Sequence, residues 1–200
     1  MKNGISNKSD QNDIPNIPPN ELEGFLSIAV IELPNQGLVG ITHCPGRNHT
    51  DSLGRIWRRN LQQDLAEIIA WGADSVLTLL ETKDFEKLGV PDIVDEMHVA
   101  GLKCYHLPIP DMEAPGVEFD AAWTRDGEKI LQSLRQSGRI VIHCAAGLGR
   151  SGMIAAKILT AFGETPQTAI SAVRNIRPGA IETEDQANYV LHDSSLAKRC

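Results

Sequence analysis

Residues Arg139-Ile140-Val141-Ile142-His143-Cys144-Ala145-Ala146-Gly147-Leu148-Gly149-Arg150-Ser151-Gly152 decide how the rest of the chain is read. Arg139–His143 is a short apolar strand. Met153–Phe162, just beyond the stretch, is apolar on nearly every side with Lys157 its only charge, which marks a central buried helix. Between them lies a turn carrying two glycines. A tight turn that feeds a helix N-terminus points successive backbone N–H groups into one concavity, and the helix dipole adds positive potential there. Such a cradle suits an oxyanion, with Ala145, Ala146, Gly147, Leu148 and Gly149 as its backbone donors. Gly147 and Gly149 supply the unusual angles and close approach it needs.

Outward from this stretch, strands and helices alternate. Leu26–Leu33 and Leu38–Thr42 read as strands separated by the turn residues Pro34, Asn35 and Gly37. Leu53, Ile56, Trp57, Leu61, Leu65, Ile68 and Ile69 recur at three- and four-residue spacing, which predicts one amphipathic helix over 53–71, stopped by Gly72. Ser75–Leu80 is expected as a buried strand, Pro91–Ala100 as a helix, and Lys103–Ile109 as a strand. The stripe Phe119, Ala122, Trp123, Ile130, Leu131 and Leu134 predicts a further helix ending near Ser137 and Gly138. Thr165 and Pro166 start another helix, terminated by Pro178 and Gly179, and a last one runs from about Thr183. The expectation is a single α/β domain over 21–200, with a mostly parallel sheet of about five strands flanked by helices. Residues 1–20 are rich in Asn, Ser, Asp and Pro and are expected to form a flexible tail.

The chemistry follows from the turn. Cys144 ends the strand beneath the place where an oxyanion would sit, and the field that binds the anion also favours thiolate over thiol. A thiolate under phosphorus attacks in line and forms a cysteinyl-phosphate. Arg150 can hold two equatorial oxygens with its planar fork, which a lysine cannot. Ser151 can donate a hydrogen bond to the sulfur or stabilise it as it leaves. A lone buried cysteine beside a helix start would be structural; the coincidence of Cys, two glycines, Arg and Ser on a strand–turn–helix points to catalysis instead. A nucleotide-binding P-loop would need Gly-Lys-Ser/Thr, which is absent. His143 has no second ligand pair at useful spacing, so it reads as a buried support rather than a metal ligand. No cofactor is expected.

An ester's leaving oxygen needs a proton. Leu107-Pro108-Ile109-Pro110-Asp111-Met112-Glu113 follows a predicted strand directly, and ligands of parallel sheets bind outside the strands' carboxyl ends. Asp111 is the expected general acid, with Glu113 second.

These residues resemble the cysteine-based dual-specificity phosphatases, and within them the kinase-associated phosphatase branch. The resemblance covers roughly Leu38 to His192. It rests on Cys44-Pro45-Gly46, on Pro108-Ile109-x-Asp111, on His143-Cys144-x-x-Gly147-Leu148-Gly149-Arg150-Ser151, and on Gly179-Ala180-Ile181-x-Thr183-x-x-Gln186. It implies a five-stranded, helix-flanked sheet and metal-free hydrolysis of phosphotyrosine or phosphoserine/phosphothreonine in proteins. It also implies Cys144 as nucleophile, Arg150 as clamp and Asp111 as acid. Gln186 matches a family position near the site, and Thr183-x-x-Gln186 is also a capping box. The acid loop departs from the pattern, with Met112 and Glu113 where a glycine-rich stretch is expected.

Bulk properties narrow the alternatives. A net charge of -7 argues against a general nucleic-acid binder and against an anionic bilayer, and no run approaches the ~18 apolar residues of a membrane span. Cys44, Cys104, Cys144 and Cys200 are scattered without C-x-x-C pairing and read as free thiols of a cytoplasmic protein, with Cys44 or Cys104 a conceivable redox partner of Cys144. Arg47, Arg55, Arg58 and Arg59 form a basic cluster, either a dock for an acidic partner or a solvated helix face. Two rival functions, a non-catalytic phospho-binding module and a sulfur transferase, would not need the full set of nucleophile, clamp and acid. A phosphoinositide phosphatase is a third, but no residue between Cys144 and Arg150 is charged.

Overall fold

A computed structural model describes residues 22–192, so the expected tail over 1–20 and Cys200 lie outside the described residues. The elements run β1 (Ala29–Glu32), β2 (Leu38–Thr42), α1 (Leu61–Ala70), β3 (Ser75–Thr78), α2 (Thr82–Lys87), α3 (Ile93–Val99) and β4 (Lys103–His106). Then follow α4 (Val117–Arg135), β5 (Arg139–His143), α5 (Gly149–Ala161), α6 (Pro166–Ile176) and α7 (Glu184–His192). The sheet has five strands in the order β1-β2-β5-β3-β4. β1 is antiparallel to β2 and the remaining pairs are parallel. The α/β class and the five-stranded, mostly parallel sheet are as the sequence predicts.

β5, which ends immediately before Cys144, is the central strand of the five and is buried from Ile140 through His143. Ile140 and Ile142 pack with Phe119, Leu134, Met153, Ile158 and Val173 on one face, while Val141 joins Val76, Leu65, Ile68 and Met97 on the other. That period-two alternation is what a strand covered on both faces requires. Phe119 is fully buried in the first cluster, and truncating it to Ala would cost ~3–5 kcal/mol. The register brings Thr42, His143, Thr78 and His106 into one row at the carboxyl ends of the four parallel strands. The Cys144 turn rises from that row.

Several boundaries differ from expectation, each for a visible reason. The predicted helix over 53–71 is only α1. Ahead of it, the Asp51 carboxylate accepts from the Leu53 and Arg55 backbone N–H groups, from Arg55 Nε and from Trp57 Nε1, winding the chain into a side-chain-centred loop. Leu53 and Ile56 are left half exposed, and the helix starts where Asn60 Oδ1 caps the Gln63 N–H. The strands β1, β3 and β4 are shorter than predicted. Pro108 and Pro110 lack the N–H a ladder needs, so beyond His106 only Leu107 and Ile109 still pair, to Thr78 and Leu79. Helix α5 starts at Gly149, so the end of the glycine turn is itself its first turn. The six-residue α2 is too short to leave a periodic signal and is not among the predicted elements. By contrast, Thr165 Oγ1 caps the Thr168 N–H ahead of α6, as predicted.

Candidate active site

Each carbonyl at the start of the Cys144 turn is taken from outside. Ala145 O accepts from the Cys44 N–H at 3.1 Å and from Arg47 Nη1 at 2.9 Å. Arg177 donates Nη2 to Ala146 O at 3.2 Å and Nε to Gly147 O at 3.1 Å. A peptide's N–H opposes its carbonyl, so anchoring the carbonyls outward turns the following N–H groups inward. Gly147 has a φ of 69°, and a Cβ there would sit 2.5 Å from the Thr42 backbone, so the turn admits only glycine. A Cβ on Gly149 would meet the Glu182 carboxylate at 2.5 Å.

Beneath the turn, Cys144 is 3% exposed, with Sγ 3.4 Å from Ser151 Oγ. His143 is wholly buried and its Nδ1 lies 3.3 Å from the Cys144 carbonyl. A carbonyl only accepts, so Nδ1 carries the proton. Burial pushes the His143 pKa down to about 4, which keeps the ring neutral at pH 7.

Arg150 is 2% exposed and held on three sides. Nη1 donates to Asp84 Oδ2 at 3.0 Å and to Ile109 O at 3.1 Å, and Nη2 pairs with Asp111 Oδ1 at 2.8 Å. Burial opposes the charge, but Cys144, Asp111 and Asp84 more than offset it and raise the guanidinium's pKa. Asp111 therefore meets both the clamp and the cavity over Cys144, with its own side chain 58% exposed. Glu113 is exposed and does not line that cavity; its carbonyl accepts from Gln186 Nε2 at 3.4 Å. Gln186 is fully buried and has both roles open to it. Its N–H is capped by Thr183 Oγ1 at 3.2 Å, its Oε1 accepts from the Glu182 N–H at 2.9 Å, and it lines the cavity.

Three site residues are absent from the sequence reading. Asp84 belongs to the unpredicted α2, where it also accepts from the Glu81 N–H; the spacing Glu81-Thr82-Lys83-Asp84 is its only signal. Arg177 is the C-cap of α6, an ordinary place for a cation. Glu182 reaches the cradle, where its carboxylate accepts the Gly149 N–H; burial raises its pKa against that hydrogen bond.

The basic cluster requires correction. Arg47 and Arg59 are buried, the first over the Trp57 ring at 3.6 Å, the second in a two-pronged pair with Asp64 at 2.6 and 2.8 Å. Arg55 is paired to Asp51 at 2.7 Å, and Arg58 is exposed. These four do not share one solvated face, because burial placed two of them where carbonyls or carboxylates meet them. Among the described residues Cys44, Cys104 and Cys144 are free thiols. Cys44 packs in the cluster on the sheet face opposite that of Cys144, and burial raises its pKa far above the usual thiol range; burial also moves Cys104 up to about 11. Neither is a poised thiolate.

A family model described as cyclin-dependent kinase inhibitor 3 matches residues 7–170. The chain is 35% identical over 158 residues to cyclin-dependent kinase inhibitor 3 of Sus scrofa, covering 78% of this chain and 70% of the relative. It is 37% identical over 107 residues to tyrosine-protein phosphatase CDC14 of Saccharomyces cerevisiae, covering 52% of this chain and 19% of that one. Among solved structures it is similar to kinase associated phosphatase carrying a serine in place of its catalytic-site cysteine, with TM-score 0.75 and 27% identity over 89% of this chain and 99% of that chain. It is also similar to Tk-PTP in the active form, with TM-score 0.58 and 31% identity over 81% of this chain and 92% of that chain.

Proposed function

The chain belongs to the cyclin-dependent kinase inhibitor 3 family, and from that premise we propose that it hydrolyses phosphotyrosine, phosphoserine or phosphothreonine in proteins through a cysteinyl-phosphate. One observation carries the reading: the Arg150 fork joins the expected acid, Asp111, to a cavity floored by Cys144.

In the first step the substrate phosphate enters the cradle and takes Arg150 Nη2 from Asp111. Cys144 Sγ attacks phosphorus, the S–P bond forms and the ester P–O bond breaks. Protonated Asp111 gives its proton to the departing oxygen. In the second step water attacks the cysteinyl-phosphate and gives a proton to Asp111. The S–P bond breaks, and inorganic phosphate and the thiolate are released, the latter beside the Ser151 hydroxyl. Asp84 is a positioning residue, since it fixes one edge of Arg150 while leaving the other free for substrate. The chain's own residues supply nucleophile, clamp and acid, so no step calls for a metal.

The uncharged run Ala145–Gly149 favours phosphoprotein over inositol lipid, because it lacks in-loop cations for extra phosphates. The kinase associated phosphatase similarity points the same way. Among the described residues no helix is long and apolar enough to cross a membrane. We take free thiols and this lack of a span as support for a cytoplasmic site of action. A dock for an acidic partner across all four arginines is not part of the proposal, since Arg59 is buried against Asp64 and Arg55 is paired with Asp51.

The test is Cys144→Ser with an aryl phosphate in the presence of a chelator. Wild type should turn over, and the variant should lose more than a thousandfold while still binding vanadate. Equal turnover by both would remove Cys144 from the nucleophile role. A wild type that binds phosphate without hydrolysing it would make the chain a phospho-binding module.

A further inference from the structure

The cavity over Cys144 holds about 340 Å³, more than one phosphoryl group needs. Beside the Cys144 turn its wall also carries Arg47, His49, Arg55 and Lys87, with Asp51 the acidic residue among them. Asp51 is already committed: burial opposes its charge, but hydrogen bonds from Trp57 and Arg55 hold its carboxyl well below the usual range. That leaves Arg47 and Lys87 as cations with no carboxylate partner among the described residues. Arg47 contacts Ala145 O, His49 and the Trp57 face, and burial lowers its pKa only to about 10, so it stays charged at pH 7.

The hydrogen-bond pattern on this wall is incomplete. Arg47 Nη2 lies 3.3 Å from His49 Nε2. A guanidinium only donates, so Nε2 accepts and the His49 proton sits on Nδ1. His49 Nδ1 and Arg47 Nε are both buried donors without a partner. Buried donors are normally satisfied, and orphans call for an explanation. Two orphaned donors and two cations outside any ion pair among the described residues, on one wall of a substrate cavity, describe a site for an anion.

We propose that this wall, formed by Arg47, His49 and Lys87, binds a second anionic group of the substrate beside the phosphate being removed. The ligand chemistry is a phosphate or carboxylate on a residue flanking the target, so the enzyme prefers phosphoresidues in an acidic or multiply phosphorylated stretch. The inference rests on the phosphatase reading above and adds to it a substrate context.

The experiment compares kcat/KM on phosphopeptides that differ only at the positions flanking the phosphoresidue, carrying Ala, Glu or a second phosphoserine. The expected preference over Ala is about threefold for Glu and roughly tenfold for the second phosphate. Preference for both supports a site open to either anion, whereas preference for the phosphate alone narrows it to phosphate. Lys87→Met, and the double variant Lys87→Met/His49→Leu, should bring the ratio below about twofold. If the double variant fails to fold, Lys87→Met alone and the loss of preference between low and high salt carry the test. A flat panel, or a preference that survives these variants, overturns the inference. So would a soluble inositol bisphosphate turned over faster than every peptide. Failure to hydrolyse even the Ala peptide would instead count against the phosphatase reading itself.

Discussion

Two loops meet over Cys144, and they are built on opposite terms. The Cys144–Arg150 turn is buried and gripped from outside by Cys44, Arg47 and Arg177, with His143 below it. The Pro110–Gly116 loop leaves Asp111, Met112 and Glu113 exposed. It is tied by the Glu113 N–H to Pro110 O at 3.3 Å, by Gln186 Nε2 to Glu113 O, by the Asp111–Arg150 pair and, at its end, by the Asp120 N–H to Gly116 O at 3.0 Å. The difference matches what the proposed mechanism asks of each loop. A cradle stabilises developing charge only if its dipoles are fixed beforehand. An acid that starts out paired with the clamp must let go when phosphate arrives, which a rigid loop would forbid.

The comparison breaks most directly at the acid. Asp111→Asn should lower kcat on phenyl phosphate by about 10²–10³-fold and leave an activated aryl phosphate within a fewfold of wild type. Glu113→Gln should stay near wild type on both, since Glu113 is exposed and does not line the cavity. A larger loss in the Glu113 variant would move the acid there.

The cradle should be the acid-labile half. His143 has a folded pKa of about 4 against an ordinary 6.5, so protonation favours the unfolded chain. Its neutral form contributes stability that is fully present above pH 6.5 and is lost as pH falls from there through 4. The gap is worth ~3 kcal/mol. Urea midpoints measured between pH 7.5 and 4 should fall steeply in wild type and less steeply in His143→Gln. A residual slope should persist, because burial also depresses the pKa of His43. Parallel slopes in the two proteins would mean that His143 titrates freely and the cradle's base is open.

Asp84→Asn separates positioning from proton transfer. Arg150 keeps its bond to Ile109 O but loses a buried carboxylate, so phosphate should inhibit about tenfold more weakly. The ratio of rates on phenyl and activated substrates should not move, in contrast to Asp111→Asn. A shift in that ratio would place Asp84 in the proton path.

How much of this was legible follows the same division. The cradle could be read because its requirements are local: a strand, two glycines, Cys144, Arg150 and Ser151 lie within one continuous run. Asp111 could be placed because parallel topology sends its strand to the same edge. Asp84, Arg177 and Glu182 could not, since each reaches the site through a contact set by tertiary packing. Asp84 was further hidden in a helix of six residues. The predicted helix over 53–71 misled for a related reason: its apolar spacing is real, but Asp51 offers the backbone a competing set of hydrogen bonds. The arginine cluster misled because sequence proximity says nothing about burial.

The smallest effect concerns Met112, the residue standing where a glycine-rich stretch was expected. Its φ is 63°, in the left-handed region, where a side chain costs ~1–2 kcal/mol. The turn it occupies, closed by the Glu113 N–H to Pro110 O, sets where Asp111 points. Met112→Gly removes the backbone cost but gives the unfolded chain more freedom, worth ~0.4–1 kcal/mol in the other direction. The two nearly cancel, so Tm should move by no more than a few degrees. Activity on phenyl phosphate should stay within about threefold, since the turn itself is kept. Met112→Val puts a β-branched residue in the same conformation, which it tolerates poorly. The turn should then open and carry Asp111 away from Arg150, lowering phenyl phosphate turnover roughly tenfold while sparing the activated substrate. Loss on both substrates would mean that the acid loop also braces the cradle, and the contrast between a fixed turn and a free one would not hold.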